Sequence, residues 1–387
     1  MMDGNRDSKT KINLKRKNKI KPTEKITNDF IERLKQAEAG DALPPWVQPW
    51  RIDVVYGNPI NALTNKPYSG INSINLSMTQ DKYGFTTPAF ITFRQAKELC
   101  KEDPDNHNLK GAKACGFVVK FGHRYYDQNN KEIRFKDNNG KHREPTSSEV
   151  DRLNLRKSIY QVPTPIFNID QLSSIPSKVK ESNIFLQRLE QQKTEGDNPE
   201  WRATKLTEIV DTLAEANKID IKERGTKAFF SPALDYIQIP TTFKTEEYRA
   251  RTLLHEAGHW TGGSFKNIES KRLGRDFTGE FGSKKYAVEE LTAELTSAQF
   301  CREFGCDTFA QHTSYIGNWL TALENDKSFL LKASKQADQA YNYLKDSYDL
   351  HHKSKADIKA TIENMQLKAV ASKTSIVERS RLRPCMQ

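Results

Sequence analysis

Apolar residues recur at helical spacing near the start of the chain. From Thr27 to Gly40 the sequence TNDFIERLKQAEAG places Phe30, Ile31 and Leu34 on one side of a helix, with Thr27 as a candidate N-cap and Gly40 as the stop. The pattern predicts that the first ordered element is a helix beginning near Thr27.

Between residues 41 and 143, short apolar runs alternate with turn residues instead. The run at 71–78 predicts a helix or a strand, and PAFITFRQAKELC predicts a strand that leads into a short helix. CGFVVKFGHRYYDQNNKEIRFKD alternates apolar or aromatic residues with basic ones on both sides of DQNN, which is typical of a β-hairpin.

The second half of the chain returns to helical periodicity after a polar stretch. Residues 173–203 are polar and charged and contain two prolines, which predicts a linker. Beyond it, apolar spacing predicts helices over residues 206–216, 245–261 and 287–305, and AFFSPALDYIQIP predicts two short strands around a Ser-Pro turn.

Composition narrows the class of protein. A chain of 387 residues that is 36% hydrophobic and 29% charged has room for two or three globular domains. It has no apolar run of about 18 residues, and its basic start has no apolar stretch behind it, so neither a membrane span nor a secretory signal is predicted. Five cysteines without close CxxC pairs favour free thiols in a reducing cytoplasm.

Positive charge is concentrated at the two ends of the chain. Residues 1–25 carry a net charge of +6 and residues 353–387 a net charge of +5, which together account for the formal charge of +11. Basic tails on a neutral body are typical of arms that contact a polyanion, most often nucleic acid. Disordered ends that only increase solubility are the alternative.

A third basic region coincides with the predicted hairpin. Residues 110–143 carry a net charge of +6, and aromatic residues interleave with the cations. Cations can follow the phosphates of a single strand while exposed rings stack on unpaired bases, so this hairpin is a candidate DNA-binding element. The candidate contact residues there are Lys113, Lys120, Arg124 and Tyr125. An ordinary amphipathic hairpin with core aromatics and solvated lysines explains the composition equally well.

The segment TLLHEAGHWTGG contains the motif His-Glu-x-x-His. Residues four apart lie on one face of a helix, so His255 and His259 can bind one ion. A catalytic zinc takes three protein ligands and leaves one position for water. Glu256, beside the first histidine, can accept a proton from that water and deliver it to a leaving amine. The alternative is that both histidines are polar residues at the surface end of a helix.

The helix predicted after this motif is the candidate source of a third ligand. Its acidic first turns place Glu290 and Glu294 on one face, and we predict Glu290 as the metal ligand and Glu294 as the hydrogen-bond partner of a ligand histidine. Glu289 is predicted to point elsewhere. A carboxylate at this position can alternatively serve only to stabilise the helix dipole. In the next element, His312 and Tyr315 are candidates for stabilising an oxyanion, with Tyr315 as the catalytic residue.

Several strings, in order, resemble a known family. FFSPALDYIQIP, YRARTLLHEAGHWTGG, FGSKKYAVEELTAELTSAQFC and HTSYIGNWLTALENDK are similar to the zincin-like metallopeptidase domain of ArdC-type antirestriction proteins. PWVQPW, NALTNKPYSGIN, FITFRQAKEL and IFNIDQ resemble the single-stranded-DNA-binding domain at the N-terminus of that family. The similarity covers about residues 25–345.

The resemblance implies an α+β fold with two domains, a mixed α/β module that binds single-stranded DNA followed by a zincin-like metallopeptidase domain that contains the HExxH helix. It implies a protein of a conjugative plasmid or another mobile element that shields incoming DNA from host restriction. It also implies His255, His259 and Glu290 as ligands of Zn²⁺ or another divalent metal, and Glu256 as general acid and base. The motif positions that are candidates for DNA contact are Trp46, Trp50, Asn61, Tyr68 and Asn72.

The expected organisation follows from this match. It comprises a basic disordered arm at 1–22, a DNA-binding domain at 23–172, a linker at 173–199, a metallopeptidase domain at 200–345 and a basic helical or disordered tail at 346–387. Two other functions suit the same residues. One is a DNA-dependent metalloprotease of the SprT-like kind that cleaves a DNA-associated protein, and the other is a coat for single-stranded DNA with a structural metal.

Overall fold

The computed structural model describes residues 20–41, 44–45, 54–55, 57–195, 199–263, 272–280, 282–304 and 316–353. The N-terminal half is a mixed sheet surrounded by helices. Its elements are α1 (Pro22–Glu38), β1 (Ile60–Asn61), α2 (Ile71–Tyr83), β2 (Ala89–Ile91), α3 (Phe93–Leu99), β3 (Gly116–Tyr126), β4 (Glu132–Ile133), β5 (Phe135–Lys136), β6 (His142–Arg143), α4 (Ser147–Arg152), β7 (Arg156–Asn168), a 3-10 turn (Ile169–Gln171), α5 (Ser177–Ser182) and α6 (Ile184–Glu195).

The N-terminal sheet has the strand order β1–β2–β7–β3–β4, with β1 and β2 parallel and the other neighbours antiparallel. The predicted hairpin is present, because β3 pairs with β4, but β4 is only two residues long. The main partner of β3 is β7, which pairs with it from Gly116↔Ile166 to Tyr126↔Arg156. These two long strands form what we call the β3–β7 ribbon.

Two boundaries differ from the sequence predictions. Helix α1 begins at Pro22 rather than near Thr27, because the fixed φ of proline suits the first turn of a helix. Residues 173–199, predicted as a linker, contain α5 and α6, and Val179 and Phe185 are buried in a hydrophobic cluster. Polar residues outnumber apolar residues in this stretch, so its composition resembles that of a linker.

The C-terminal half places a small sheet beside a group of helices. Its elements are α7 (Pro199–Ala216), β8 (Ile221–Glu223), β9 (Phe229–Ser231), β10 (Tyr236–Ile239), α8 (Glu246–Trp260), α9 (Lys284–Phe304), α10 (Ile316–Asn325) and α11 (residues 329–353). The strand order is β8–β10–β9, with β9 and β10 antiparallel as AFFSPALDYIQIP predicts. Among the described helices, none is long and apolar enough to cross a membrane.

Both halves contribute to one hydrophobic core. Phe30 of α1, Val119 of β3, Leu291 of α9 and Trp319 of α10 are all buried in the same cluster. Full burial of side chains of this size stabilises a fold by roughly 1.5–3 kcal/mol each. The β3–β7 ribbon and helix α9 are therefore attached to a common core.

Candidate metal centre

Helices α8 and α9 cross at short range because α8 has a glycine at the contact. A Cβ atom at Gly258 would lie 3.0 Å from the Cα atom of Ala293 and 3.3 Å from its carbonyl oxygen. Such distances are tighter than ordinary van der Waals contact, so only glycine allows this approach without a shift of the helices. The crossing brings the imidazoles of α8 next to the carboxylates of α9.

Three predicted ligands meet at this crossing. The Nε2 atoms of His255 and His259 lie 3.2 Å apart, and each lies 3.6 Å from an oxygen of Glu290. Metal–ligand bonds of about 2.0–2.2 Å at tetrahedral angles separate ligand atoms by about 3.3–3.6 Å. The two imidazoles and the carboxylate therefore have the chemistry and the spacing of a divalent metal site, and they form a His-His-Glu group within the described residues.

The outer nitrogens of both histidines are held by carboxylates. His255 Nδ1 lies 3.2 Å from Glu294 Oε2, where Glu294 was expected, and His259 Nδ1 lies 2.9 Å from Glu289 Oε1. The prediction that Glu289 points elsewhere was therefore wrong. Donation from Nδ1–H to a carboxylate leaves the Nε2 lone pair of each ring directed at the shared centre.

Arg275 holds Glu289 in place from the other side. Its Nε and Nη2 atoms each donate to Glu289 at 2.8 Å, Nη1 donates to Thr261 Oγ1 at 2.8 Å, and Nη2 donates to the Gly258 carbonyl at 2.6 Å. Sequence reasoning missed this residue. It lies outside any periodic segment, and only the tertiary fold brings it to the end of α8.

Charge at the centre favours a cation. Burial lowers the pKa of each histidine, but the nearby carboxylates outweigh burial and raise both pKa values above the ordinary range. Burial raises the pKa of Glu290, yet His259 and His255 bring it well below its usual value. A divalent cation satisfies the same carboxylates while the imidazoles are neutral.

The metal ligands open onto a cleft of about 340 Å³. Glu256 lines this cleft next to the histidines and is itself buried. Phe229, Phe230 and Phe277 form apolar parts of the wall, and Tyr286 contributes a hydroxyl-bearing ring. The arrangement can hold a small segment of substrate beside a metal and the Glu256 carboxylate. The remaining predicted residues of this site, His312 and Tyr315, lie outside the described residues.

The predicted DNA contacts in the first motif region are largely internal. The Asn61 amide donates to Tyr68 Oη at 3.1 Å and to Gln95 Oε1 at 3.0 Å. Asn72 donates to the Val119 carbonyl at 2.9 Å and accepts from the Val119 amide at 2.7 Å. These residues therefore join helices to the sheet by hydrogen bonds. Trp46 and Trp50 lie outside the described residues.

The predicted contacts of the hairpin separate into two groups. Lys113, Lys120 and Arg124 are exposed. Tyr125 is buried, and its hydroxyl donates to Glu144 at 2.7 Å, so its ring and hydroxyl already have protein partners. The expectation that Tyr125 stacks on DNA is thus not supported by its position. Tyr160, which sequence reasoning did not single out, is exposed on β7 instead.

Comparison with known proteins assigns both halves of the chain to families. Residues 21–157 match the N-terminal domain of anti-restriction factor ArdC, and residues 208–336 match a family of zincin-like metallopeptidases, MPTase-PolyVal. The second match includes the two histidines, Glu256 and all three carboxylates of α9 described above.

Relatives over most of the chain include a DNA primase TraC of Escherichia coli and the uncharacterized protein y4eC of Sinorhizobium fredii (strain NBRC 101917 / NGR234). The primase is 28% identical over 331 residues, which is 83% of this chain but 27% of the primase. Protein y4eC is 26% identical over 326 residues, which is 83% of this chain and 90% of that protein. The chain therefore spans about a quarter of the primase that it matches.

Two solved structures have the same architecture over most of the chain. The metal-free crystal structure of the antirestriction protein ArdC from plasmid R388 has a TM-score of 0.57 and 27% identity, covering 84% of this chain and 97% of that one. The Mn(II)-bound structure of the same protein has a TM-score of 0.55 and 25% identity, covering 85% and 98%. A zincin-like domain and a relative that binds Mn(II) both indicate a divalent metal.

Proposed function

Because this chain is an ArdC-type protein, with an ArdcN domain followed by a zincin-like metallopeptidase domain, we propose that it binds single-stranded DNA and protects incoming DNA from host restriction. We place it on a mobile genetic element such as a conjugative plasmid, acting in the cytoplasm. Its second domain is proposed to be a metallopeptidase with Zn²⁺ as the resident ion.

The observation that supports a metal-dependent activity is the His-His-Glu group. Its ligand atoms all lie within 4.8 Å of one another and converge on one point at the wall of a cleft. A purely structural metal is usually enclosed by four protein ligands, whereas a catalytic metal keeps one position open. Three ligands among the described residues, beside an accessible cleft, therefore favour catalysis over a structural role.

We assign the chemistry to residues around the cleft. When bound, the metal supplies Lewis acidity that makes water reactive near neutral pH. Glu256 accepts the proton of the attacking water and delivers it to the leaving amine. Glu294 and Glu289 fix the orientation of the histidines. Tyr315, which lies outside the described residues, is kept from the sequence as the proposed hydrogen-bond donor to the oxyanion of the peptide carbonyl.

DNA binding is assigned to the N-terminal domain and its basic residues. Of the candidates predicted from sequence, Lys113, Lys120 and Arg124 have the exposure that phosphate contact requires. The basic residues at 1–25 and 353–387 are proposed as additional phosphate contacts. A protein coat of this kind on a single strand would exclude a restriction enzyme from the DNA it covers.

The test is transfer of unmodified DNA into a restricting recipient and into an isogenic recipient that lacks the restriction enzyme. We expect the wild-type chain to raise recovery of the DNA only in the restricting recipient. No rise in that recipient would refute the proposed function.

Glu256→Gln, which keeps all three metal ligands, then separates the two modes of action. Loss of protection with DNA binding intact assigns protection to hydrolysis, as in a DNA-dependent protease. Full protection assigns it to DNA coating. Glu246→Gln is the matched control, because Glu246 lies on the same helix but is exposed and far along α8 from the motif.

A further inference from the structure

The two faces of the β3–β7 ribbon differ sharply in chemistry. Side chains alternate across a strand, and cross-strand partners share a face. The register therefore places one set of residues together: Lys120 opposite Val162, Gly122 opposite Tyr160, Arg124 opposite Ser158, and Tyr126 opposite Arg156. We call this set the cationic face of the ribbon.

The aromatic rings of the cationic face are already arranged for stacking. Tyr160 lies flat across Gly122, since a Cβ atom at position 122 would be 2.4 Å from Cζ of the tyrosine. The Arg124 guanidinium lies 4.6 Å from the centre of the Tyr160 ring, and the Arg156 guanidinium lies 5.1 Å from that of Tyr126. Packing against arginines restricts these rings, so less conformational entropy is lost when a base stacks on them.

Charge on this face is positive. Lys120, Arg124 and Arg156 are exposed, and the neighbouring Glu132 is paired with Arg134 at 2.8 Å. From Lys120 to Tyr126, strand β3 extends about 20 Å, at about 3.4 Å per residue. A row of cations beside aromatic platforms over this length matches the phosphates and bases of a single strand.

Side chains on the opposite face of the ribbon already contact other parts of the protein. On it, Tyr125 donates to Glu144 at 2.7 Å, and Gln161 bonds to Thr23 of α1 at 3.1 Å. It also exposes Phe121 and Ile159, which have no cation stacked on them in the described contacts. It also carries one exposed lysine, Lys157, which is paired with Tyr125 and lies 6.0 Å from the centre of that ring. This face thus differs from the cationic face in packing and has fewer cations than the three at Lys120, Arg124 and Arg156.

We propose that the cationic face is the track for single-stranded DNA, with Tyr160 as its base-stacking platform and Arg124, Lys120 and Arg156 on the phosphates. The proposal rests on the proposed DNA-binding function and moves the aromatic contact from Tyr125 to Tyr160. An unpaired DNA strand can turn its bases towards this face. The bases of a duplex are stacked and paired inside the helix, so they cannot stack on Tyr160.

The test uses the full chain and a fluorescently labelled oligothymidylate of about 30 nucleotides, titrated by anisotropy at several salt concentrations. Tyr160→Ala should weaken binding by about 5- to 150-fold, the equivalent of about 1–3 kcal/mol for one stacked base, and Tyr160→Phe should bind like wild type. Lys120→Gln should reduce the slope of log affinity against log salt by about 0.7. The matched control is Phe121→Ala, an exposed ring on the opposite face, which should stay within about twofold of wild type.

The outcomes separate this proposal from the proposed function. If wild type does not bind the oligonucleotide, the DNA-binding function fails and the proposal fails with it. If wild type binds but Tyr160→Ala binds equally well, the cationic face is excluded while DNA binding stands. A larger loss in Phe121→Ala than in Tyr160→Ala would place the strand on the opposite face. Binding of a duplex or an RNA of the same length that is equally strong and equally sensitive to Tyr160→Ala would overturn single-stranded DNA as the partner.

Discussion

Arg275 is expected to control metal affinity although it is not one of the three candidate ligands. Its guanidinium donates four hydrogen bonds of 2.6–2.8 Å, two of them to Glu289, and its side chain is 4% exposed. Glu289 in turn holds His259 Nδ1 at 2.9 Å. Replacing Arg275 by Met keeps much of its volume but leaves Glu289 without its bidentate partner, so the histidine loses its fixed orientation.

Two effects of Arg275→Met can be estimated. Loss of a residue that orients a metal ligand lowers metal affinity by about 10- to 100-fold. Breaking a buried ion pair from one side costs about 3–5 kcal/mol of stability. We expect both effects, measured by competition with a chromogenic chelator and by urea denaturation of the metal-free protein.

Arg272→Met is the matched control for this prediction. Arg272 is also buried, but it pairs with Asp235 at 2.5 Å and stacks over Trp260 at 4.0 Å, whereas Arg275 pairs with the carboxylate that holds His259. It should lose stability while metal affinity changes by less than about threefold. Equal losses of metal affinity in both variants, or wild-type affinity in Arg275→Met, would refute the role given to the Arg275–Glu289–His259 chain.

Two further changes have defined outcomes. Gly258→Ala should push α8 away from Ala293, because the new Cβ would lie 3.0 Å from the Ala293 Cα. We expect a loss of about 1–3 kcal/mol of stability and weaker metal binding. Unchanged metal affinity in the chelator competition would show that the close helix crossing does not determine the geometry of the site. Burial raises the pKa of Asp338 to about 6, so the folded protein keeps this proton in a range where the unfolded chain loses it. The stability that this proton contributes should therefore be fully present below about pH 4 and should fall by up to about 3 kcal/mol as the pH rises to about 6. Asp338→Asn should flatten this part of the stability profile. Identical urea-denaturation profiles for both proteins would exclude Asp338 as the cause.

Local patterns predicted the HExxH helix and the side chains that the structure brings together beside it. His255 and His259 depend only on helical spacing, and Glu290 and Glu294 follow from the same spacing on the next helix. The pairing of Glu289 with His259 was missed because adjacent residues on a helix normally diverge. Here α9 crosses α8 so closely that both Glu289 and Glu290 reach the same imidazole.

Long-range pairing limited the prediction of the DNA-binding surface. The segment after β3 does pair with it as β4, but only over two residues. The full eleven-residue length of β3 pairs with β7, whose residues lie thirty to fifty positions further along the chain. Without that register, Tyr125 and Tyr126 could not be assigned to faces, and Tyr160 had no reason to be considered. The packing of Phe30 and Trp319 in one core could not be predicted either, because no local sequence pattern connects residues so far apart.

The most direct test of the account is the metal content of the purified chain, measured by elemental analysis after equilibration with Zn²⁺ or Mn²⁺ and removal of free ion. We predict about one divalent ion per chain in the wild type and in the exposed-residue control Glu246→Gln, and almost none in His255→Ala or Glu290→Ala. Equal metal content in the wild type and in both ligand variants, or none in any of them, would contradict a metal centre at His255, His259 and Glu290.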